Sequence, residues 1–315
     1  DVYLARQIVG RFLPRTPLQF SAGLSEFLGA EVYVKHEDHM PLGAFKARGG
    51  INFIANLSVA ERDLGVITAS TGNHGQSIAN ACNVFGAKAF ITLPENANPL
   101  KVNAMRALGA ELIFFGKTFD ESRSHAEELA EKHGYRYVHP VNEPLLIAGV
   151  ATETLEIIEE LPDVDDIFLP LGGGSGVAGA CIVTNAINPD IRVWAAQSES
   201  APAGYLSWRE GQLLQSPMAT FAEGVATGSG YQLPQEIMRH KLHDFVLVSD
   251  DDIRYAMGLL IEKAHTMSEG AGATGTAAAI KRKNDILSKK VVLVITGGNV
   301  TLDQLTGAIS VYQAR

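Results

Sequence analysis

Short apolar runs alternate with helical patterns along most of the chain. Residues 65–140 contain runs that predict strands at 66–69, 89–93, 112–115 and 135–138, and between them lie the helical patterns 74–85, 99–108 and 120–132. A strand followed by a helix and then by another strand is typical of parallel pairing. This region is therefore predicted to form a small parallel α/β lobe.

A second series of the same kind begins near residue 143. Its predicted strands are 167–171, 191–196, 245–248 and 291–295, and its predicted helices are 144–160, 177–186, 251–264, 274–283 and 301–312. These strands are continuously apolar, as expected where helices cover both faces of a parallel sheet. We predict an α/β fold with two lobes, a large domain of residues 1–55 and 141–315 and a small domain of residues 56–140.

Composition narrows the classes of function. The 315 residues are 46% apolar and 19% charged, with a formal net charge of −9. An acidic chain without a Lys/Arg block opposes a nucleic-acid partner, and no apolar stretch approaches the roughly 18 residues of a membrane span. Cys82 and Cys181 lack metal-ligand spacing and are interpreted as buried thiols in a reducing compartment. We expect a cytoplasmic protein with neither nucleic acid nor a membrane as its partner.

A glycine-rich segment directly follows one predicted strand. Gly172-Gly173-Gly174-Ser175-Gly176 precedes a predicted helix, so backbone N–H groups and the positive helix end would bind an anion. The spacing is not the G-x-G-x-x-G of dinucleotide sites, and the next strand, ending in Ala195-Ala196-Gln197, lacks the acidic residue that would hold a ribose. A small phosphate monoester fits this segment better.

Other polar groups also follow predicted strands. Ser70-Thr71-Gly72-Asn73-His74-Gly75 lies between a strand and a helix and suits a substrate carboxylate, although an ordinary helix N-cap uses the same residue types. Thr296 follows the last apolar strand, where its hydroxyl would hydrogen-bond a ring nitrogen, the alternative being a turn threonine. Lys46, taken alone, has no more meaning than a solvated surface lysine.

Taken together, these segments carry a family resemblance that covers nearly the whole chain. The matching motifs occur in the family's order, as TPL at 16–18, KHED at 35–38, FKARG at 45–49, GNHGQ at 72–76, HPVNEP at 139–144, GGGSG at 172–176, EGAGA at 269–273 and GGN at 297–299. The chain resembles the pyridoxal-phosphate (PLP) enzymes of fold type II, and among them the serine/threonine dehydratase (threonine ammonia-lyase) and serine racemase family.

This resemblance implies a fold and a chemistry. The fold is the two-lobed, tryptophan synthase beta-like one, in which the large domain binds PLP, and the usual assembly is a homodimer. The reaction is the conversion of a small β-hydroxy amino acid, above all L-threonine or L-serine, to a 2-oxo acid and ammonia. A PLP-binding protein without turnover is the alternative from another class.

The resemblance also implies roles for individual residues. Lys46 would carry PLP as a Schiff base and act as the catalytic base, with Phe45 packed beside the ring. Further cofactor contacts would come from Asn73 at the phenolic oxygen, Thr296 at the pyridine nitrogen, and Gly172, Gly173, Gly174 and Ser175 at the phosphate. The substrate carboxylate would bind Ser70, Thr71, Gly72 and His74.

Two positions leave the choice of reaction open. Thr71 stands where racemases of the family carry a serine that protonates the opposite face of Cα. It is therefore a catalytic candidate, and because its extra methyl restricts its rotamers, serine- or aspartate-type racemisation is the less favoured alternative.

Arg123 matches an arginine near the substrate's distal end, where a guanidinium would favour 3-hydroxyaspartate. The competing interpretation is an exposed helix arginine. The resemblance leaves a bulkier β-hydroxy amino acid open as well.

No metal ion is expected. Gln197 and Ala203 stand where metal-activated relatives carry carboxylate ligands, and hard cations require anionic oxygens. Residues 36–39, His-Glu-Asp-His, could suggest a ligand cluster but are interpreted as a solvated polar turn. Glu223 belongs to an acidic-Gly loop that the family places beside the cofactor, and it is assigned no role.

Overall fold

The structure, a computed structural model, describes residues 1–97 and 99–315. Its strands are β1 (Leu18–Phe20), β2 (Glu31–His36), β3 (Val66–Ala69), β4 (Ala89–Leu93), β5 (Glu111–Phe114), β6 (Arg136–Tyr137), β7 (Asp166–Pro170), β8 (Arg192–Ser198), β9 (Asp244–Val248) and β10 (Lys290–Ile295).

The helices lie between and after these strands. They are α1 (Val2–Phe12), α2 (Ala22–Leu28), α3 (Lys46–Ala55), α4 (Val59–Leu64), α5 (Asn73–Phe85), α6 (Pro99–Ala107), α7 (Phe119–His133), α8 (Pro144–Val150), α9 (Thr152–Glu160), α10 (Ser175–Ile187), α11 (Ala203–Glu210), α12 (Gln232–Met238), α13 (Asp250–Ala264), α14 (Gly270–Lys281) and α15 (Leu302–Ala314). Among the described residues, no helix is long and apolar enough to cross a membrane.

The chain forms two compact units, residues 1–13 with 46–150 and residues 14–45 with 151–315. In the first unit, a parallel sheet has the strand order β5-β4-β3-β6. Helices α5 and α7 pack on β3 and β4. Every residue of β3 is buried, and since successive strand side chains point to opposite faces, both faces of this strand are covered. The small parallel lobe predicted from the sequence is confirmed.

The second unit contains the larger sheet, in the order β1-β2-β10-β7-β8-β9. Only its edge strand β1 is antiparallel to its neighbour among these described strands, and the other pairs are parallel. Phe168 on β7 and Leu293 on β10 are register partners, and both are fully buried in a core shared with α13 and α14. Parallel pairing places the carboxyl ends of β10, β7 and β8 at one edge of this sheet.

The boundary between the units differs from the expected one. Residues 1–13, 46–55 and 141–150, which we had assigned to the large domain, belong to the first unit. The reason is helix packing, because α3 contacts both α5 and α8, and α1 contacts α3 and α8. Glycines permit this closeness: a Cβ on Gly149 would lie 2.6 Å from the carbonyl oxygen of Arg48.

A buried ion pair fixes the end of β2 in the second unit. The Lys35 ammonium, fully buried, donates to Glu156 Oε2 at 2.7 Å and to the carbonyl oxygen of Thr16 at 2.8 Å. The Thr16 hydroxyl in turn donates to Glu37 Oε1 at 2.6 Å. A buried charge is tolerated only when it is paired in this way.

Removing one partner of the pair should therefore be costly. We expect Glu156→Gln to lower the free energy of unfolding by about 3–5 kcal/mol, because the Lys35 charge stays buried without its counter-ion. Chemical denaturation followed by circular dichroism measures this. The control is Asp251→Asn, which breaks an exposed pair with Arg254 and should cost no more than about 1 kcal/mol. Equal effects of the two substitutions would contradict a stabilising role for the buried pair.

Candidate active site

Lys46 is the first residue of α3, in the first unit. Its side chain is half-buried, and its carbonyl oxygen accepts a hydrogen bond from Ser77 Oγ on α5 at 2.5 Å. Gly50 makes this approach of the two helices feasible, since a Cβ there would lie 2.3 Å from Ser77 Oγ. The position of the lysine relative to α5 is thereby fixed at its backbone.

The turn from β3 into α5 presents its backbone N–H groups at the helix start. Ser70 Oγ accepts hydrogen bonds from the N–H of Gly72 at 3.2 Å and of Gly75 at 2.9 Å. Its own hydroxyl proton remains available as a donor. The first N–H groups of a helix have no intrahelical acceptors and lie at its positive end, so this turn suits a carboxylate.

His74 is held in one neutral form. The Thr68 hydroxyl donates to the carbonyl oxygen of Val138 at 2.8 Å and lies 3.0 Å from His74 Nε2. Since the Thr68 proton is already used, His74 must donate its Nε2–H to the Thr68 oxygen. Burial lowers the pKa of His74 to about 3, with smaller contributions from the charge of Lys46 and, at acid pH, from that of His139. His74 can therefore offer a substrate carboxylate its backbone N–H but no imidazolium.

His139 is a second neutral histidine in the same unit. Its Nδ1 accepts the N–H groups of Val141 at 3.1 Å and Asn142 at 2.9 Å. Burial lowers its pKa, and the charge of Arg123 lowers it further. His139 thus contributes no positive charge at neutral pH.

Arg123 lies on α7 with a partly exposed side chain. Its guanidinium lies 3.6 Å from both Asp120 Oδ1 and Glu127 Oε1, one turn before and one turn after it. These carboxylates already offset its charge. The geometry favours the exposed helix arginine over a site for a second substrate carboxylate.

In the second unit, the glycine run joins β7 to α10. Gly174 adopts φ 105°, a left-handed conformation that favours glycine, and a Cβ on Gly172 would lie 2.1 Å from the carbonyl oxygen of Gly224. Ser175, the first residue of α10, is buried. The backbone of this segment therefore approaches the loop after Glu223 closely, and its three glycines place no Cβ before the helix N-terminus.

Thr296 follows β10, the strand next to β7. Its carbonyl oxygen accepts the N–H of Phe45 at 3.0 Å, and the Phe45 ring lies 3.3 Å from the position of a Cβ on Gly176. Adjacent parallel strands thus bring Phe45, Thr296 and the glycine run to one sheet edge. All of these residues were predicted from the sequence as cofactor contacts, and all of them lie in the second unit.

Gln197, at the place of a family metal ligand, is buried and engaged with protein groups. Its Nε2 donates to Thr227 Oγ1 at 3.2 Å, and its Oε1 accepts the N–H of Tyr205 at 3.1 Å. Ala203 opens α11, and the Glu199 side chain is exposed. These contacts favour the expectation that this position does not bind a hard cation.

Three residues at the site were missed from the sequence. Ser77 lies one helical turn after Asn73 on α5 and holds the Lys46 carbonyl. Thr68 lies inside a strand that reads as apolar, and it sets the tautomer of His74. His139 begins the HPVNEP motif but had no assigned role. The helical spacing of Ser77 from Asn73 was the one usable signal.

Comparison with known proteins decides the family. A model of the pyridoxal-phosphate dependent enzyme family matches residues 10–297. The chain is 38% identical over 311 residues to an L-threonine ammonia-lyase of Thermotoga maritima, covering 98% of this chain and 77% of that protein. The chain belongs to the pyridoxal-phosphate-dependent enzymes.

Two solved structures resemble this PLP enzyme closely. The processed form of threonine deaminase isoform 2 from Solanum lycopersicum superposes with a TM-score of 0.92 at 32% identity, over 98% of this chain and 93% of that one. Serine racemase from Dictyostelium discoideum superposes with a TM-score of 0.90 at 33% identity, over 96% of this chain and 98% of that one. The fold type II assignment made from the sequence is confirmed.

The enzyme's residues fit its cofactor in chemical terms. In the second unit, the helix N-terminus after Gly172–Gly174 suits a phosphate, and the neutral hydroxyl of Thr296 suits a ring nitrogen. In the first unit, the half-buried Lys46 supplies the primary amine for a covalent bond to an aldehyde.

The depressed pKa of His74 predicts a pH dependence of stability. The unfolded residue takes up a proton near pH 6.5, whereas the native one does so only near pH 3. Between these values the unfolded state binds more protons, so this contribution to stability is complete above pH 6.5 and is lost as the pH falls toward 3. We expect wild-type enzyme to lose about 2 kcal/mol through His74 between pH 7 and pH 5.

Chemical denaturation of the wild type and of His74→Asn at pH 7 and pH 5 measures the contribution of His74. The loss of unfolding free energy between the two pH values should be smaller in His74→Asn by that contribution. Thr68→Val is the matched control, because it removes the hydrogen bond but keeps the titrating ring. It should lower stability at both pH values and retain the pH dependence. An unchanged pH dependence in His74→Asn would contradict the neutral, buried state.

Proposed function

We propose that the enzyme is an ammonia-lyase that converts L-threonine and L-serine to a 2-oxo acid and ammonia. The observation that carries this proposal is the placement of Lys46 beside the neutral His74 and the carboxylate-binding turn of α5, within one unit. The similarity to a threonine ammonia-lyase and a threonine deaminase supports the same substrates.

We assign the cofactor contacts as follows. Lys46 would bind PLP covalently, and Asn73 would contact its phenolic oxygen. Phe45 would pack on the ring and Thr296 would contact the pyridine nitrogen. The phosphate would be held by Gly172, Gly173, Gly174 and Ser175. When bound, PLP supplies an electron sink that weakens the Cα–H bond of an attached amino acid. Two observations support these assignments. Thr296 is buried, and the Phe45 N–H donates a hydrogen bond to the Thr296 carbonyl oxygen.

Different groups of the protein would bind the substrate carboxylate and remove the Cα proton. The N–H groups at the start of α5, with the Ser70 hydroxyl and Thr71, would bind and orient the substrate carboxylate. Gly72 would line the same turn, with its own N–H donating to Ser70 Oγ. The Lys46 amine would be the base that accepts the Cα proton of the bound amino acid. A cationic His74 would attract the carboxylate away from the turn, so the neutral state set by burial keeps the helix start as the anchoring group.

Serine racemisation is a second candidate function, favoured by the likeness to a serine racemase. It would require Thr71 to deliver a proton to the face of Cα opposite Lys46. The β-methyl of threonine restricts its rotamers, so we propose elimination as the main reaction. A dicarboxylate substrate such as 3-hydroxyaspartate is less favoured, because Arg123 already has two carboxylate neighbours.

We also propose that the enzyme is a cytoplasmic homodimer. Its two cysteines, Cys82 and Cys181, are free and buried, and burial raises the pKa of both thiols to about 12. Unreactive, unpaired thiols suit a reducing compartment. The dimer is supported only by the family resemblance.

Lys46→Ala tests the central assignment. Loss of the base should reduce 2-oxo acid release from L-threonine by at least about 10²–10⁴-fold. Borohydride reduction followed by peptide mapping should give a pyridoxyl label on Lys46 of the wild-type enzyme. Lys241→Ala, at an exposed lysine, is the control and should retain both turnover and label. A label on another lysine, or a wild-type enzyme that is labelled without turnover, would contradict the proposal.

Substitution of Thr71 tests the choice between reactions. In Thr71→Ser the methyl is gone, so we expect a higher ratio of L-serine inversion to elimination than in the wild type. In Thr71→Ala the acid is gone, so the ratio should fall. Chiral chromatography of residual serine, with 2-oxo acid measured in the same sample, gives the ratio directly. An equal ratio in all three enzymes would show that Thr71 does not supply the proton.

A further inference from the structure

Three potential metal ligands meet in the second unit at the end of β2. His36 is the last residue of the strand, and Asp38 and His39 lie in the single helical turn Glu37–His39 that follows it. The expected solvated turn is wrong for most of this segment. The side chains of His36 and Asp38 are 3% and 7% exposed, and only that of His39, at 50%, reaches solvent.

The burial has a structural cause. His36 pairs with Ile295 in the parallel ladder between β2 and β10, so the strand continues one residue into the polar segment. Glu37 is fully buried and accepts the Thr16 hydroxyl. Polar side chains are therefore gathered inside the protein, where each requires a partner.

The hydrogen bonds within the group are long. His36 Nδ1 lies 3.3 Å from Asp38 Oδ1, and His39 Nε2 lies 3.5 Å from Asp38 Oδ2. The two imidazole rings are stacked, with centroids 4.5 Å apart, and each faces a different oxygen of the one carboxylate. The three ligand atoms all lie within 4.8 Å of one another.

These separations match the edges of a coordination polyhedron. Ligands at about 2.0–2.1 Å from a tetrahedral ion are separated by about 3.3–3.5 Å. Thr266 Oγ1 adds a fourth oxygen, at 3.4 Å from His36 Nδ1 and 3.5 Å from Asp38 Oδ2. The three ligand atoms and the Thr266 hydroxyl are therefore close enough together for one bound ion to replace these long hydrogen bonds.

We propose that His36, Asp38 and His39 form a binding site for Zn²⁺ or a similar divalent transition metal, with Thr266 or water as a further ligand. Two imidazoles and one carboxylate are the donor set that such ions prefer. Mg²⁺ and Ca²⁺ require mostly oxygen ligands and are excluded as occupants by the two imidazoles. None of its residues is among those assigned to the cofactor, and neither Gln197 nor Ala203 belongs to it.

Metal binding here would stiffen the segment that leads to Phe45. A Cβ on Gly298 would lie 3.4 Å from Asp38 Cβ, so Asp38 packs beside the loop after Thr296. The N–H of Gly298 donates to the carbonyl oxygen of Gly43 at 2.9 Å, and Asn299 Nδ2 donates to that of Leu42 at 3.0 Å. A metal at this position would therefore stabilise the end of β2, which is connected to the cofactor-binding segment through the 298–299 loop.

Isothermal titration of untagged, chelator-treated holoenzyme with Zn²⁺, without amino acid substrate, tests the proposal. We expect saturable binding of one ion per chain, a rise in melting temperature, and visible absorption of tetrahedral Co²⁺ when that ion is used instead. His39→Ala is the key variant, since its half-exposed side chain can be removed without opening the core. It should weaken Zn²⁺ binding at least about tenfold, because even outer-shell partners of ligands contribute about 10–100-fold.

Asp38→Asn should weaken Zn²⁺ binding as well, and His240→Ala, which removes an exposed histidine elsewhere, should leave it unchanged. An unaltered visible spectrum of the cofactor throughout the titration shows that the ion does not bind PLP. The proposal is overturned if no stoichiometric Zn²⁺ binding is found, if His39→Ala binds as tightly as wild type, or if Mg²⁺ binds equally well.

Discussion

In each sheet of this enzyme, a buried parallel strand is followed by a tight turn that leads directly into a helix. The proposed chemistry depends on these two turns. β3 passes through Ser70–Gly72 into α5, and β7 passes through the glycine run into α10. The N–H groups of a helix start are fixed donors that cost no reorganisation when an anion binds. The side chains permitted at each turn then decide which anion is bound.

The two turns differ in the side chains that surround the N–H groups of the helix start. At α10, glycines remove every Cβ that would obstruct a phosphate, and the closeness of Gly172 to the Gly224 carbonyl leaves no room for a larger residue. At α5, Ser70 uses its oxygen to hold the turn and keeps its proton for the ligand. The turn at α10 thus suits the proposed phosphate, held by backbone groups, and the turn at α5 suits the proposed carboxylate, held by backbone and hydroxyl.

The neutrality of His74 is the electrostatic counterpart of this geometry. A buried imidazole next to Lys46 cannot take a proton at neutral pH, because desolvation and the lysine charge both oppose it. Thr68 then fixes which nitrogen carries the remaining proton. His74 therefore adds no positive charge beside Lys46 and the start of α5 at neutral pH.

The sequence predicted those parts of the molecule that depend on local pattern. Continuous apolar runs located β3, β4, β7 and β10, and glycines after strands located the two proposed anion sites, because both signals are local. The motif order supplied the proposed role of Lys46, which its own neighbourhood did not. Contacts between segments far apart in sequence were not predictable in this way. The hydrogen bond from Ser77 to Lys46 and the packing of α3 on α8 depend on which helix faces meet.

The segment 36–39 shows why local pattern failed in one place. Four consecutive polar residues are normally solvated, since each charge costs free energy on burial. Here Ile295 of β10 extends the ladder through His36, the Thr16 hydroxyl satisfies Glu37, and Thr266 from a segment some 230 residues away closes the far side of Asp38. Burial of this turn is thus set by three long-range partners. Because the hydrogen bonds inside this cluster are long, the proposed ion would stabilise it more than they do.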